Sequence, residues 1–213
     1  MSRVRMHNLS ISLDGFAAGE PQALETPMGH AGQRLHTWMF DTAFGAAMMG
    51  RAGGSDGVDQ AFAQRFADGI GVEIMGAGKF GPSGWQDDPD WRGWWGETPP
   101  FGTPVLVLTH RPREPLVLDG TTFHFLDAAP DEALEKAREM AGGLDVRIGG
   151  GADVARQFLA ERLVDVAHVV QVPIVLGRGA RLWDGLAGLE DDYDVEVVSS
   201  PSGVVHLTLQ RRA

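Results

Sequence analysis

Leu144-Asp145-Val146-Arg147-Ile148-Gly149-Gly150-Gly151-Ala152 reads as a strand, a glycine bend and the start of a helix. Leu144 to Ile148 is a short, mostly apolar run of strand length. From Ala152 to Arg162 the residues Ala155 and Phe158-Leu159, continued by Leu163, repeat at helical spacing and make one apolar face. A strand that runs straight into a helix belongs to a parallel sheet, whose strands need crossover connections. The bend has two readings. It is a tight turn that binds nothing, for which one glycine would suffice. Alternatively, its bare backbone lets a phosphate reach free N–H groups at the positive end of the helix.

The same grammar extends to both sides. Arg3 to Leu13 alternates but shifts phase from Val4 and Met6 to Leu9, Ile11 and Leu13, which predicts a strand with a bulge near His7-Asn8. Asp14-Gly15 ends it in a turn, and Gly19 to Gly32 reads as loop. Spacing at Leu35, Trp38 and Met39, and at Val58, Phe62 and Phe66, predicts two helices between Gln33 and Ala67, separated at Gly50 to Gly57. Val72 to Met75 and Pro104 to Thr109 are buried strands by their apolar runs. Between them, Gly81 to Pro104 is a long loop. Thr122 to Leu126 is a strand after a turn at Asp119-Gly120. Pro130, Asp131 and Glu132 open a helix that Gly142-Gly143 stops. Val164 to Leu176 is a long strand, and Val195 to Ser199 with Val204 to Leu209 form a terminal hairpin. The expectation is a single α/β domain of three layers: a mostly parallel sheet covered on both faces, with an antiparallel C-terminal hairpin at one edge.

Composition bounds the function. The chain has 213 residues, 29 acidic against 18 basic side chains, and no cysteine. A net charge of -11 repels nucleic acid and anionic membranes. The missing thiols exclude disulfides, cysteine nucleophiles and Cys-ligated zinc. The seven histidines lack metal-ligand spacing, so no metal is expected, and no Gly-x-Ser-x-Gly elbow suggests a hydrolase. No apolar run has the character of a signal peptide or a membrane span, so a cytoplasmic protein is expected.

A second glycine cluster, Gly76-Ala-Gly78-Lys-Phe-Gly81, spells G-x-G-x-x-G. Pro82, Ser83 and Gly84 follow at once, leaving no room for the long helix that this dinucleotide fingerprint requires. Lys79 supplies a positive charge there, or the segment is an ordinary strand exit.

Taken in order, Ser12-Leu-Asp-Gly15, Met75-Gly76, Val107-Leu-Thr109, Val146-Arg-Ile-Gly-Gly-Gly151 and Val172-Pro-Ile-Val-Leu-Gly-Arg-Gly179 resemble the dihydrofolate reductase superfamily. The resemblance is closer to the branch that holds the reductase domain of riboflavin biosynthesis, and it spans Arg3 to Leu209. It implies a dihydrofolate-reductase-like fold in which NADPH lies across the carboxyl ends of the strands and passes hydride to a small planar heterocycle. By position, Gly149, Gly150, Gly151 and Ala152 would hold the pyrophosphate, with Gly76, Gly78, Lys79 and Phe80 at the neighbouring turn. Thr109, His110 and Arg111 would lie near the ribose 2'-phosphate, and Leu13, Asp14, Gly15 and Phe16 would border the nicotinamide. Branch relatives imply a homodimer. Two departures stand out: Ala77 and Gly78 occupy the place where relatives carry a basic residue, and His110 stands where an arginine is common.

Hydride transfer needs a positioned ring and a proton source. Asp14 is the leading catalytic candidate, or else a turn residue bonded to local backbone. Asp41 parallels the carboxylate of folate-reducing relatives, or caps a helix at the surface. Trp38 lines the substrate pocket, or is plain core. Trp85, Trp91, Trp94 and Trp95 crowd one loop as a lid, a subunit contact or self-packing. The substrate is then a pteridine- or pyrimidine-like compound, with the 5-amino-6-ribosylaminouracil phosphate of the riboflavin pathway as one alternative. A non-catalytic nucleotide sensor is the alternative from another class.

Overall fold

The computed structural model describes residues 2–30 and 32–212. In chain order the elements are β1 (Val4–Ser12), β2 (Phe16–Ala18), α1 (Thr37–Phe40), α2 (Ala43–Met48), α3 (Val58–Ala63), β3 (Ile70–Gly76), α4 (Ala77–Phe80), β4 (Val105–Leu108), β5 (Leu116–Leu118) and β6 (Thr121–Leu126). They continue with α5 (Pro130–Met140), β7 (Asp145–Gly150), α6 (Ala152–Ala160), β8 (Val166–Val172), β9 (Ala180–Arg181), β10 (Tyr193–Ser199) and β11 (Val205–Arg211).

Among the described residues, nine strands form one sheet in the order β10-β11-β8-β1-β7-β3-β4-β6-β5, and β2 pairs separately with β9. The six strands from β8 to β6 are parallel. The C-terminal hairpin is antiparallel, as its sequence predicts. The other edge is antiparallel too, because the Asp119-Gly120 turn folds β5 back onto β6. The bulge expected at His7-Asn8 is present: the β1–β8 register shifts between Met6 and Leu9, and Asn8 has φ 61°.

The expected pair of helices between Gln33 and Ala67 is instead three short ones, with single 3-10 turns at Gly32–Leu35 and Gln64–Phe66. The Thr42 hydroxyl accepts the Gly45 N–H and starts α2 there, which breaks the run. The loop after α4 has the expected length and carries a single 3-10 turn, at Trp85–Asp87.

The two faces of the sheet are covered differently. Under α5 and α6, Val4, Met6, Val72, Ile74, Val146 and Ile148 join Phe158 and Leu159 in one continuous core. Burying the Phe158 and Leu159 side chains contributes about 1.5–3 kcal/mol each. On the opposite face there are two separate apolar clusters. One lies beneath α1–α3 with Leu35, Trp38, Ala63 and Val170. The other lies beneath the tryptophan loop with Met75, Phe80, Trp85, Val107 and Phe123. Side chains alternate across a strand, so the residues facing the gap between these clusters are His7 on β1, Arg147 on β7 and Glu73 on β3. The gap is a cleft with a charged floor.

Candidate active site

The cleft has a volume of about 750 Å³, within the range of about 300–1,000 Å³ usual for small-molecule sites. It runs along the carboxyl ends of β3, β4 and β7 and then between the helical cap and the tryptophan loop. Of the residues singled out from sequence, Gly76, Gly78, Lys79, Thr109, His110, Arg111, Gly149, Gly150, Gly151 and Ala152 all line it. Three separate segments therefore meet in one place.

The three consecutive glycines have three different causes. At Gly149, where the β3–β7 register shifts between Ile74 and Met75, a Cβ would come within 1.9 Å of Glu73 Oε1. Glycine is needed there to leave room for the floor. Gly150 has φ 103°, a backbone region that side chains rarely adopt. Gly151 has φ -58° and caps α6, and a Cβ on it would meet nothing within 4 Å. Neither packing nor conformation within the chain requires glycine at 151. Gly78, at the neighbouring turn, likewise faces open space. The Gly150–Gly151 peptide is cis. From this bend the free N–H groups and positive end of α6 face the cleft. Asp153, the acidic residue of the first turn of α6, is drawn aside by Arg156 at 2.5 Å.

The floor is a buried ion cluster. Glu73 is 1% exposed and pairs with both Arg147, 2% exposed, and Lys79. Lys79 Nζ donates to Glu73 Oε1 at 2.9 Å and to the Gly149 carbonyl at 2.7 Å. Arg147 also donates to the Phe66 carbonyl at 2.6 Å and lies 3.6 Å above the Phe66 ring. Two cations share one carboxylate, so the floor beside the glycine bend carries one net positive charge. Burial, aided by Arg147, pulls the Lys79 pKa below its ordinary value against the opposing pull of Glu73. Burial, followed by Lys79, lowers His36 to about 4. Burial and the charges of Arg5, Arg147 and Arg65 lower His7 to about 3. Both histidines line the cleft as neutral rings.

At the rim, His110 Nδ1 lies 3.0 Å from Asp127, and Arg111 pairs with Asp87 at 2.6 Å. Thr109 Oγ1 accepts the Arg111 N–H at 3.2 Å, which fixes the turn after β4.

Seven of the sequence candidates lie outside the cleft lining. The Asp14 carboxylate accepts the Ser12 hydroxyl at 2.5 Å and the N–H groups of Leu176 and Gly177 at 3.1 and 2.7 Å. The Ser12 bond chiefly lowers its pKa to about 2, and the side chain ties the end of β1 to the turn after β8. Gly15, at φ 84°, belongs to the turn between β1 and β2, its N–H donating to the Ser12 carbonyl. Phe16 is buried under Arg181, whose guanidinium sits 4.4 Å from the ring. Leu13 points to solvent, 54% exposed. Phe80 is wholly buried in the cluster beneath the tryptophan loop. Trp38 is core, with its indole N–H donating to Ser10 Oγ at 2.9 Å. Asp41 is exposed at the end of α1, and its carbonyl accepts the Ser55 N–H.

Other residues at the cleft went unmarked in the sequence reading, above all His7, Asn8, His36, Arg147 and Asp127, with Glu73 beneath them. The available signal was a charge inside an apolar strand: Arg147 between Val146 and Ile148, and Glu73 between Val72 and Ile74. Such a charge needs a partner or a ligand. Asn8 also begins a buried hydrogen-bonded chain. His168 Nδ1 lies 3.0 Å from Asn8 Oδ1, His168 Nε2 lies 3.0 Å from His206 Nδ1, and His206 Nε2 lies 2.8 Å from Asp59. Phe62 stacks on both rings, and burial holds His168 neutral, with a pKa lowered to about 2.

Among solved structures, the fold is similar to that of a putative riboflavin biosynthesis protein from Shewanella sp. PV-4. That match has 19% identity and a TM-score of 0.58 over all of both chains. A pyrimidine reductase-like protein from Corynebacterium diphtheriae matches with 14% identity and a TM-score of 0.54, over 100% of this chain and 92% of that one. A diaminohydroxyphosphoribosylaminopyrimidine deaminase/5-amino-6-(5-phosphoribosylamino)uracil reductase from Thermotoga maritima matches at 15% identity and a TM-score of 0.53. There 99% of this chain is covered and 57% of the other. No curated protein sequence matches the chain. Among the described residues no helix is long and apolar enough to cross a membrane. The family model of the RibD C-terminal domain matches residues 4–205, and the chain belongs to that family.

Proposed function

We propose that the protein is a nicotinamide-dependent reductase that uses NADPH and acts on a small planar heterocycle. The observation that carries this reading is the open space in front of Gly151 and Gly78, two cleft glycines whose missing side chains serve no contact within the chain. A group that must approach the backbone closely accounts for both, and the N–H groups at the start of α6 suit a pyrophosphate. The single excess positive charge of the Glu73–Lys79–Arg147 cluster lies at the same end. In this reading Gly149 to Ala152 and the turn at Gly76 to Lys79 hold the bridging phosphates, while Thr109, His110 and Arg111 hold the adenosine ribose. The nicotinamide supplies the hydride.

The chain's own groups orient the acceptor, exclude water and deliver a proton. Lys79 is placed for that last task. Two of its three ammonium hydrogens go to Glu73 and Gly149, which leaves one for the cleft. In this proposal Asp14 holds the end of β1 in register with the turn after β8 and takes no part in proton transfer. The rim leaves the preference for NADPH over NADH to a balance of Arg111 and His110 against Asp87 and Asp127.

The test is NADPH oxidation at 340 nm with dihydrofolate, an aminopyrimidine and a quinone as acceptors. Oxidation with at least one of them is expected. Tight NADPH binding without oxidation across the panel would replace the reductase with a nucleotide sensor on the same fold.

A further inference from the structure

We infer that the acceptor half of the cleft takes an uncharged, flat, conjugated carbonyl compound that carries no phosphate, a neutral heterocycle or its quinone analogue, and discriminates against sugar phosphates. The inference rests on the reductase reading for the assignment of that half.

Every charged side chain that lines the cleft already has a side-chain partner within the protein. Lys79 and Arg147 hold Glu73, Arg111 holds Asp87, Asp127 faces His110, and Asp153 is held by Arg156. The one excess positive charge sits at the glycine bend, where the pyrophosphate is assigned. Beyond it the cleft lies between two walls. Met39, Phe40 and Met48 come from the helical cap, and Trp94, Trp95 and Phe101 from the loop. None of these six carries a charge.

The arginines that flank the walls are turned away from the cleft. Arg51 donates to the Phe40 carbonyl at 2.9 Å. Arg113 donates to the Trp91 carbonyl at 2.6 Å and lies 4.6 Å from the Phe125 ring. His7 and His36 are neutral, for the reasons of burial given above. A phosphate monoester placed between these walls would lose its hydration and meet no cation except Lys79, whose charge is already shared with Glu73, an unfavourable exchange.

The same walls suit a flat apolar ring. Trp95 meets Phe101 edge to face at 4.8 Å, and Trp94 meets Trp91 likewise at 5.0 Å, giving aromatic edges and faces for stacking. The methionines opposite adapt to ring shape. Lys79 Nζ stands 5.6 Å from the centroid of Phe101, so a carbonyl on a ring lying against Phe101 has a hydrogen-bond donor beside it. The buried carboxylate Glu73 is saturated by its two cations and is not available to hold a protonated aminopterin.

The test is calorimetric titration of the protein loaded with NADP+, a form that does not turn over. The two probes are menadione, a neutral bicyclic quinone, and uridine 5'-monophosphate, a pyrimidine sugar phosphate. Menadione is expected to bind at least about tenfold more tightly. Met48 is 38% exposed, so Met48→Lys places an unpaired cation on the wall at little risk to the core. This variant is expected to raise affinity for uridine monophosphate about tenfold, as a new charge-assisted hydrogen bond would, and not to raise affinity for menadione. Equal or tighter binding of the nucleotide by the wild type, binding of neither probe, or no gain in Met48→Lys would each overturn the inference. Affinity for NADP+ alone, measured in the same experiment, separates the two proposals. Its absence refutes the reductase reading, while the order of the two probes still decides the groove.

Discussion

Glu73→Gln removes the one negative charge beneath the cleft and leaves Lys79 and Arg147 side by side. Glu73 and Arg147 are 1% and 2% exposed, so water cannot replace the lost partner. Breaking a buried pair in this way costs about 3–5 kcal/mol, a large share of the stability of about 5–15 kcal/mol typical of a folded domain. Arg147 cannot shed its proton; Lys79 can, because burial already lowers its pKa. The variant lowers that pKa further.

The deficit relative to the wild type therefore shrinks as pH rises through the window in which the variant's Lys79 has lost its proton and the wild type's has not. It shrinks there by up to about 1.4 kcal/mol per pH unit. Urea unfolding of both proteins at several pH values between 6 and 9 measures it. A loss below about 1 kcal/mol, or a loss that stays constant with pH, would refute the account of the floor as a coupled ion cluster. The same substitution exposes the Gly149 bulge to a displaced Lys79, so NADPH affinity falls with it.

Lys79→Met leaves Glu73 and Arg147 as a one-to-one pair and removes the assigned proton donor. The variant should fold, with kcat reduced by about 10²-fold or more and a flattened alkaline limb of the pH–rate profile. An unchanged kcat would remove Lys79 from the chemistry. His168 is neutral when folded, with its pKa lowered to about 2, whereas in the unfolded chain it binds a proton below about 6.5. Stability from this residue is complete above about pH 6.5 and falls as pH drops, by about 1.4 kcal/mol per unit, or about 2 kcal/mol at pH 5. Urea unfolding between pH 7 and 5 should show a slope shallower by about one proton in His168→Gln, and identical slopes would contradict the buried neutral ring.

The framework of the sheet was readable because its parallel strands are buried on both faces. Val105–Leu108 is an unbroken apolar segment, and the helix at Pro130 carries its own start and stop residues. The glycine turns after β3 and β7 were readable for the same local reason. Other features depend on distant partners. The cap between Gln33 and Ala67 has helical spacing, yet the rings that Phe62 of α3 stacks on, His168 and His206, belong to far strands. β2 and β9 pair across most of the chain length, which no local pattern encodes. The floor was half visible: Glu73 and Arg147 stand out as charges in apolar strands, but their pairing comes from the adjacency of β3 and β7. Asp14 and Trp38 have side chains suited to a site, and their neighbours Ser12, Leu176 and Ser10 engage them elsewhere.

Calorimetric titration of Gly151→Ala with NADPH, alongside the wild type, tests the central claim. The position has an ordinary φ and empty space where the methyl group would lie, so unfolding stability should change by less than about 1 kcal/mol, the scale of a helix-cap substitution. NADPH affinity should fall at least about tenfold, or about 1.4 kcal/mol, because the methyl group occupies the approach to the α6 amides. Unaltered affinity in a stably folded variant would contradict the placement of the pyrophosphate at this bend.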